Sequence, residues 1–274
     1  PSFFLRASPV PVKPVEVTFD CLYTIDDLFN YNEGWHSWQH HSRFSGFTAE
    51  DALQKINTAT QAAHDYIKTA DCILITLGSA WIYTLTEKAL NANVGTVAAN
   101  NHKAPADWFE RKLMDVGQVI TVLGTMLDRL GALNPHIQVI FTISPVRHLR
   151  EGVIDNNRSK AVLITAVHYM IEQLKKLYYF PAYELVIDDL RDYRFYAEDL
   201  VHPNYYATQY VWEKFVQACM NDDTKKLMEE IASINLAFNH KPFNASSTMH
   251  QKFLANLEAK IEQLQQKLPF LHFS

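Results

Sequence analysis

Apolar and polar positions alternate along the chain with two periods. Behind Thr48, which can cap a helix with Asp51 three residues on, Leu53, Ile56, Ala63 and Ile67 recur at helical spacing. The nearly unbroken apolar run Asp71-Cys-Ile-Leu-Ile-Thr-Leu77 follows directly, as a parallel strand covered on both faces requires. After a polar loop around Ala89 to Asn101, Phe109, Leu113, Val116, Ile120, Leu123, Leu127 and Leu130 are spaced by fours and threes, which predicts one long helix ended by Gly131 and Pro135. Gln138 to Ser144 repeats the buried-strand pattern, and Ile164, Val167, Ile171 and Leu174 mark the next helix. A shorter strand near Tyr178 to Phe180, a polar loop to Pro203 and a helix from about Tyr205 to Met220 complete a βαβα order. That order predicts a three-layer α/β/α domain built on a parallel sheet.

From Asp222 onward the pattern is only helical, with Leu227, Ile231, Ile234 and Phe238 on one stripe and Leu257, Ile261, Leu264 and Leu268 on another. These stripes cover too few heptads for a coiled coil, so residues 221–274 are expected to form a helical extension packed on an α/β domain of residues 1–220. The first stretch, to about Asp20, contains Pro9, Pro11 and Pro14 and is expected to be an extended surface segment without a central strand.

Composition narrows the classes. A 48% hydrophobic and 20% charged chain of 274 residues supports a full hydrophobic core. A net charge of -5 without a Lys/Arg run argues against nucleic acid or an anionic membrane surface as partner. Cys21, Cys72 and Cys219 are widely spaced and odd in number, so they read as buried, reduced thiols, neither a disulfide framework nor a thiolate metal site. No apolar run approaches the length of a membrane span and no signal-peptide pattern opens the chain, so a cytoplasmic setting is expected. The oligomeric state is left open by the sequence.

Loops at the carboxyl ends of parallel strands are where open α/β sheets bind ligands, so the segments after Leu77, after Ser144 and before Tyr205 should converge. In Asp199-x-x-His202 a turn can bring the carboxylate beside the imidazole, fixing its tautomer for work as a general base. The other reading is an Asp that caps the next helix beside an exposed His. Gly78-Ser79 permits close approach of a backbone N–H to a substrate oxygen, or is only the turn that ends a strand. Ser79 itself is a hydroxyl for binding or for nucleophilic attack. Arg147 and His148 could hold an anionic or polar group, or Arg147 could pair with the acids among Asp188 to Asp192. Trp35-His-Ser-Trp-Gln-His-His-Ser42 is dense in histidine, and His36 with His40 has the spacing of a helical metal pair. The tryptophans and Gly34 favour a pocket-lining loop over a metal site there. His102 reads either as a polar pocket residue or as a loop residue before a helix starting near Ala106.

Together these segments resemble the GSCFA family. The resemblance rests on Trp35-His-Ser, Ile75-Thr-Leu-Gly-Ser-Ala-Trp-Ile-Tyr83, His102-Lys-x-Pro105, Thr142-Ile-Ser-Pro-Val-Arg-His-Leu149 and Tyr179-Phe-Pro-Ala-Tyr-Glu184. It continues through Leu190 to Asp199, His202-Pro and Asn239-His-Lys-Pro-Phe243. It implies a sheet of the SGNH-hydrolase or flavodoxin-like kind and a serine acyl-ester hydrolase or acyltransferase, acting without metal or cofactor on a small-molecule or carbohydrate ester. It makes Asp199 and His202 the orienting acid and base, and places Trp35, His36, Gly78, Ser79, His102 and Arg147 around the substrate. The family's Gly-Ser-Cys-Phe-Ala block, with its nucleophilic serine, does not occur here. The first strand and the nucleophile are therefore expected upstream of Pro1. Where many esterases of the broader group keep an oxyanion-binding Asn, this chain has Gly78-Ser79-Ala80. A non-catalytic binding module is the alternative.

Overall fold

The computed structural model describes residues 5–7, 22–148, 152–238, 247–271 and 273. They form two compact units, Pro1–Thr208 and Gln209–Ser274. The first unit opens on strand β1 (Leu5–Ala7), followed by a hairpin of β2 (Phe29–Tyr31) and β3 (Gly34–His36). Helix α1 (Ala49–Thr69) begins where its cap was expected, the Thr48 hydroxyl accepting from the Asp51 amide at 3.2 Å, and buries Ala49, Ala52 and Ile56. Then come β4 (Cys72–Leu77), β5 (Trp81–Leu85), β6 (Phe109–Leu113), α2 (Val116–Leu133), β7 (Gln138–Ile143), α3 (Gly152–Gln173), β8 (Leu177–Tyr179) and the short α4 (Ala182–Glu184).

Strands β1, β4, β7 and β8 make one parallel sheet in that order, with Leu77 opposite Ile143 and Ala7 opposite Leu77. Ile73, Ile75 and Leu77 of β4 and Val139, Phe141 and Ile143 of β7 are buried with Val119 and Leu123 of α2 and Leu163, Val167 and Met170 of α3. The opposite-facing Leu74, Thr76 and Ile140 are half-buried, as the period-2 pleat dictates. The protein is thus α/β, a parallel sheet flanked by helices, with a helical C-terminal region.

The proline-bearing first stretch, whose residues 1–4 and 8–20 lie outside the described ones, was rightly expected to hold no central strand, and its short β1 pairs with β4 at the edge of the sheet. Three residues at the edge of a sheet is a strand position that tolerates nearby prolines. Elsewhere three expectations need correction. Phe109 and Leu113 do not belong to a long helix. They end a strand paired antiparallel with Trp81–Leu85, and the helix starts only after Asp115, whose carboxylate and the Gln118 amide group form a reciprocal capping box. Accordingly Ala106–Trp108 is a single 3-10 turn and not a helix start. The buried face of α3 is Leu163, Ala166, Val167 and Met170, while Leu174 is exposed. Helix α2, 18 residues with mean hydropathy 1.2, is long and apolar enough to cross a membrane by length and composition. Here it lays Val119 and Leu123 on the sheet.

Helix α5 (Tyr205–Cys219) runs across the boundary of the two units. In the second unit α6 (Asp222–Phe238) and α7 (Thr248–Lys267) pack as a pair around Ile234, Leu257 and Leu264, with Leu227, Ile231, Ile261 and Leu268 at the margin, on the stripes expected.

Candidate active site

The turn before α5 carries the acid and the histidine. Asp199 Oδ1 accepts the backbone N–H groups of Val201 and His202 at 2.9 and 3.0 Å, and Oδ2 lies 2.6 Å from His202 Nδ1. Between them Leu200 has φ +57°, a left-handed conformation costly for a branched side chain. The turn is closed by hydrogen bonds from the Ala197 amide to the His202 carbonyl and from the Leu200 amide to the Ala197 carbonyl. These donors, led by the His202 amide and then its ring, hold the Asp199 carboxyl down to about 2, so it is anionic at any working pH. A carboxylate on Nδ1 assigns the proton to that nitrogen and leaves the Nε2 lone pair outward. Nε2 has no hydrogen-bond partner among the described residues, and the side chain is 56% exposed. Asp199 is not the cap of α5: the Ala207 amide donates to Asn204 Oδ1 at 3.1 Å.

Arg147, just past β7, fastens this turn to the sheet. Its guanidinium donates to the Leu200 carbonyl at 3.3 Å and to the Tyr196 hydroxyl at 3.2 Å, and lies over the Tyr196 ring at 4.5 Å. Two of the nearby acids, Asp188 and Asp192, are matched instead to Arg191 and Arg194. The next residue, His148, reaches Gly78 O with Nε2 at 3.2 Å, while its amide donates to Asn156 Oδ1. The ends of β4 and β7 and the Asp–His turn are therefore brought together.

Ser79 does not stand ready as a nucleophile. Its hydroxyl accepts the Trp81 amide at 3.0 Å and shares a hydrogen bond of 3.2 Å with Ser159, whose oxygen also accepts the Ala80 amide at 2.7 Å. Among the described residues neither hydroxyl is bonded to His202. Below them Lys160, only 1% exposed, donates to the carbonyls of Gly78 and Ser144 at 2.7 and 2.6 Å. Asn156, Ser159 and Lys160 were not anticipated from sequence. Their signal was present: they continue the face of Leu163, Val167 and Met170 one turn toward the strand ends, with polar groups where the same stripe meets open carbonyls.

Trp35, His36 and His102 form a different cluster. Trp35 pairs by backbone with Gly46 and packs beside Leu28 and Ile56. His36 spends both ring nitrogens, on Ser45 Oγ at 2.7 Å and Tyr31 O at 3.0 Å. His102, buried with φ +48°, bonds Ser37 O at 2.9 Å and sits edge-on to Phe29 and 4.8 Å from the His36 ring. Among the described residues no hydrogen bond or ring contact joins these three to Gly78, Ser79 or Arg147. His36 lies on a strand, so the helical metal pair with His40 does not form.

In this cluster burial pushes the His40 imidazole down to about 4, with the Asp27 charge opposing and His102 adding to the shift, and burial lowers His102 as well. Below about pH 6.5 the unfolded chain takes up a proton that folded His40 refuses until about 4, so stability present at neutral pH is lost across that window. After a discount for partial exposure the loss is about 1–2 kcal/mol. The midpoint followed by Trp38 fluorescence should fall by roughly 2–8 °C from pH 7.5 to 4.5. His40→Gln should flatten the dependence.

Two concavities lie elsewhere: an apolar hollow of about 520 Å³ beside Met114 and Gln118, and a polar one of about 220 Å³ between Asp26, Trp38 and Asn91. Neither is lined by Asp199, His202, Gly78 or Ser79.

An α/β domain with an Asp–His pair beside the carboxyl ends of its parallel strands is the class these observations define. The chain belongs to the GSCFA family: the model of that family matches residues 13–215, and that of the GSCFA domain protein C-terminal domain matches residues 231–274. Among curated proteins none matches. A solved structure similar to this chain is a carbohydrate esterase family 3 protein from Talaromyces cellulolyticus. It is 12% identical, with a TM-score of 0.31, over 62% of this chain and 68% of the other.

Proposed function

We propose that the strand-end face is the site of a serine acyl-ester hydrolase or acyltransferase acting on a small ester, with an acylated carbohydrate as the favoured substrate class, in a cytoplasmic setting. The 2.6 Å contact of Asp199 with His202 carries the reading, because it leaves a basic Nε2 facing outward. In this scheme Nε2 takes the proton of a serine hydroxyl as that oxygen attacks the ester carbonyl. Asp199 steadies the imidazolium, and His202 then returns the proton to the leaving alkoxide. The serine comes from outside the described residues, since Ser79 is engaged with Ser159 and Trp81. In this reading Gly78 and Ser79 line the ester and Arg147 holds the turn that bears the base.

The competing reading, a binding module without catalysis, is favoured by the lack of any hydroxyl on His202 among the described residues. Hydrolysis of p-nitrophenyl acetate and butyrate separates the two. The 274-residue chain should be nearly inactive, and the same chain extended by a Gly-Ser-Cys-Phe-Ala block should turn over. Two folded, inactive proteins would leave the binding module.

A further inference from the structure

The turn after β4 has three successive amides, and two are occupied: Ala80 N–H on Ser159 and Trp81 N–H on Ser79 Oγ. The first, that of Ser79, has no partner among the described residues. Its direction is set by the other end of the same peptide group. Gly78 O is held by Lys160 Nζ at 2.7 Å and by His148 Nε2 at 3.2 Å, and in a trans peptide the N–H points opposite to the C=O. Gly78 adds a second observation. Its backbone is outside the left-handed region, and among the described residues a Cβ there would meet nothing nearer than His148 Nε2 at 3.9 Å. Neither conformation nor packing explains a glycine at this place. Open space beside the unused N–H does, if a ligand must approach the backbone closely.

We propose that Lys160 is a positioning residue that aims the Ser79 N–H at the oxyanion of a carboxylic ester undergoing attack, or at the carboxylate it releases. The inference rests on the acyl-ester reading of this face and supplies the donor that Ala80, in place of an amide side chain, cannot give. A buried ammonium must be matched by hydrogen bonds to be tolerated. Here it is matched by two carbonyls at adjacent strand ends, and so it locks the peptide plane. The charge on Gly78 O also polarises the peptide and strengthens its N–H as a donor. The donor is in place before substrate arrives, which is what makes such a group effective.

Amide NMR of the 15N-labelled chain under titration with sodium acetate tests this. The Ser79 proton should move downfield and saturate, while those of Ala80 and Trp81, engaged internally, move little. Gly78→Ala, which the free space lets fold normally, should abolish the response. Lys160→Met should weaken acetate binding at least fivefold and shift the Ser79 amide upfield without acetate. A Ser79 amide that moves no more than its two neighbours overturns the proposal, whether or not Lys160→Met folds. A saturable Ser79 response in a protein without esterase activity in any form upholds the donor and removes only the enzyme reading. Esterase activity with a silent Ser79 amide removes only the donor.

Discussion

In a form of the protein that hydrolyses p-nitrophenyl acetate, His202→Ala is expected to lower kcat by roughly 10²- to 10⁴-fold, the range of a positioned general base, with little change in KM. Asp199→Asn should cost about as much, on the order of 10⁴-fold, because the amide NH2 that replaces Oδ2 imposes the tautomer in which Nε2 carries the proton. An amide at that position can still accept the Val201 and His202 amides through one oxygen, but it no longer compensates the imidazolium. Both side chains are about half exposed, so neither replacement should move the unfolding midpoint much, and loss of activity would not be loss of fold. Because the Asp199 carboxyl is held down to about 2, its protonation does not enter the pH–rate profile above pH 4. A His202→Ala protein within twofold of the parent would show that the proton goes elsewhere.

What could be read in advance depended on how local the determinants are. Helix α1 was legible because its cap, Thr48 with Asp51, and its apolar face lie within one segment. Strands β4 and β7 were legible because burial on one face and partial cover on the other give a continuous apolar run. Residues Phe109–Leu113 were not, because a five-residue strand with apolar ends four apart satisfies helical spacing. Only its partner Trp81–Leu85, far away in sequence, decides the matter. The dyad was legible for the same reason as α1: three residues of separation suffice for a turn that closes on its own side chain. The convergence of Trp35, His36 and His102 with Gly78 was an inference from shared membership of motifs. Their ring and hydrogen-bond partners are Phe29, Tyr31, Ser37 and Ser45, which tie them to the β2–β3 hairpin instead.

Lys160→Met is expected to destabilise the first unit by about 2–4 kcal/mol, the largest stability effect we anticipate from a single side chain there. Methionine fills much the same volume, so cavity formation is minor. The cost comes from Gly78 O and Ser144 O, both in partly buried surroundings, which lose a charged donor at 2.7 and 2.6 Å. An orphaned acceptor costs roughly 1–3 kcal/mol, and relief from burying the ammonium returns part of that sum. The two units need not unfold together, so the effect should be read locally, by hydrogen exchange at Val139 to Ile143 in the centre of the sheet. Protection there should fall by roughly 30- to 700-fold, the equivalent of that free energy. Exchange in α6 and α7 of the second unit should be unaltered. If the sheet kept its protection, the two carbonyls would have found water at no cost, and Lys160 would owe its place to the charge it brings to the strand ends and not to the structure it braces.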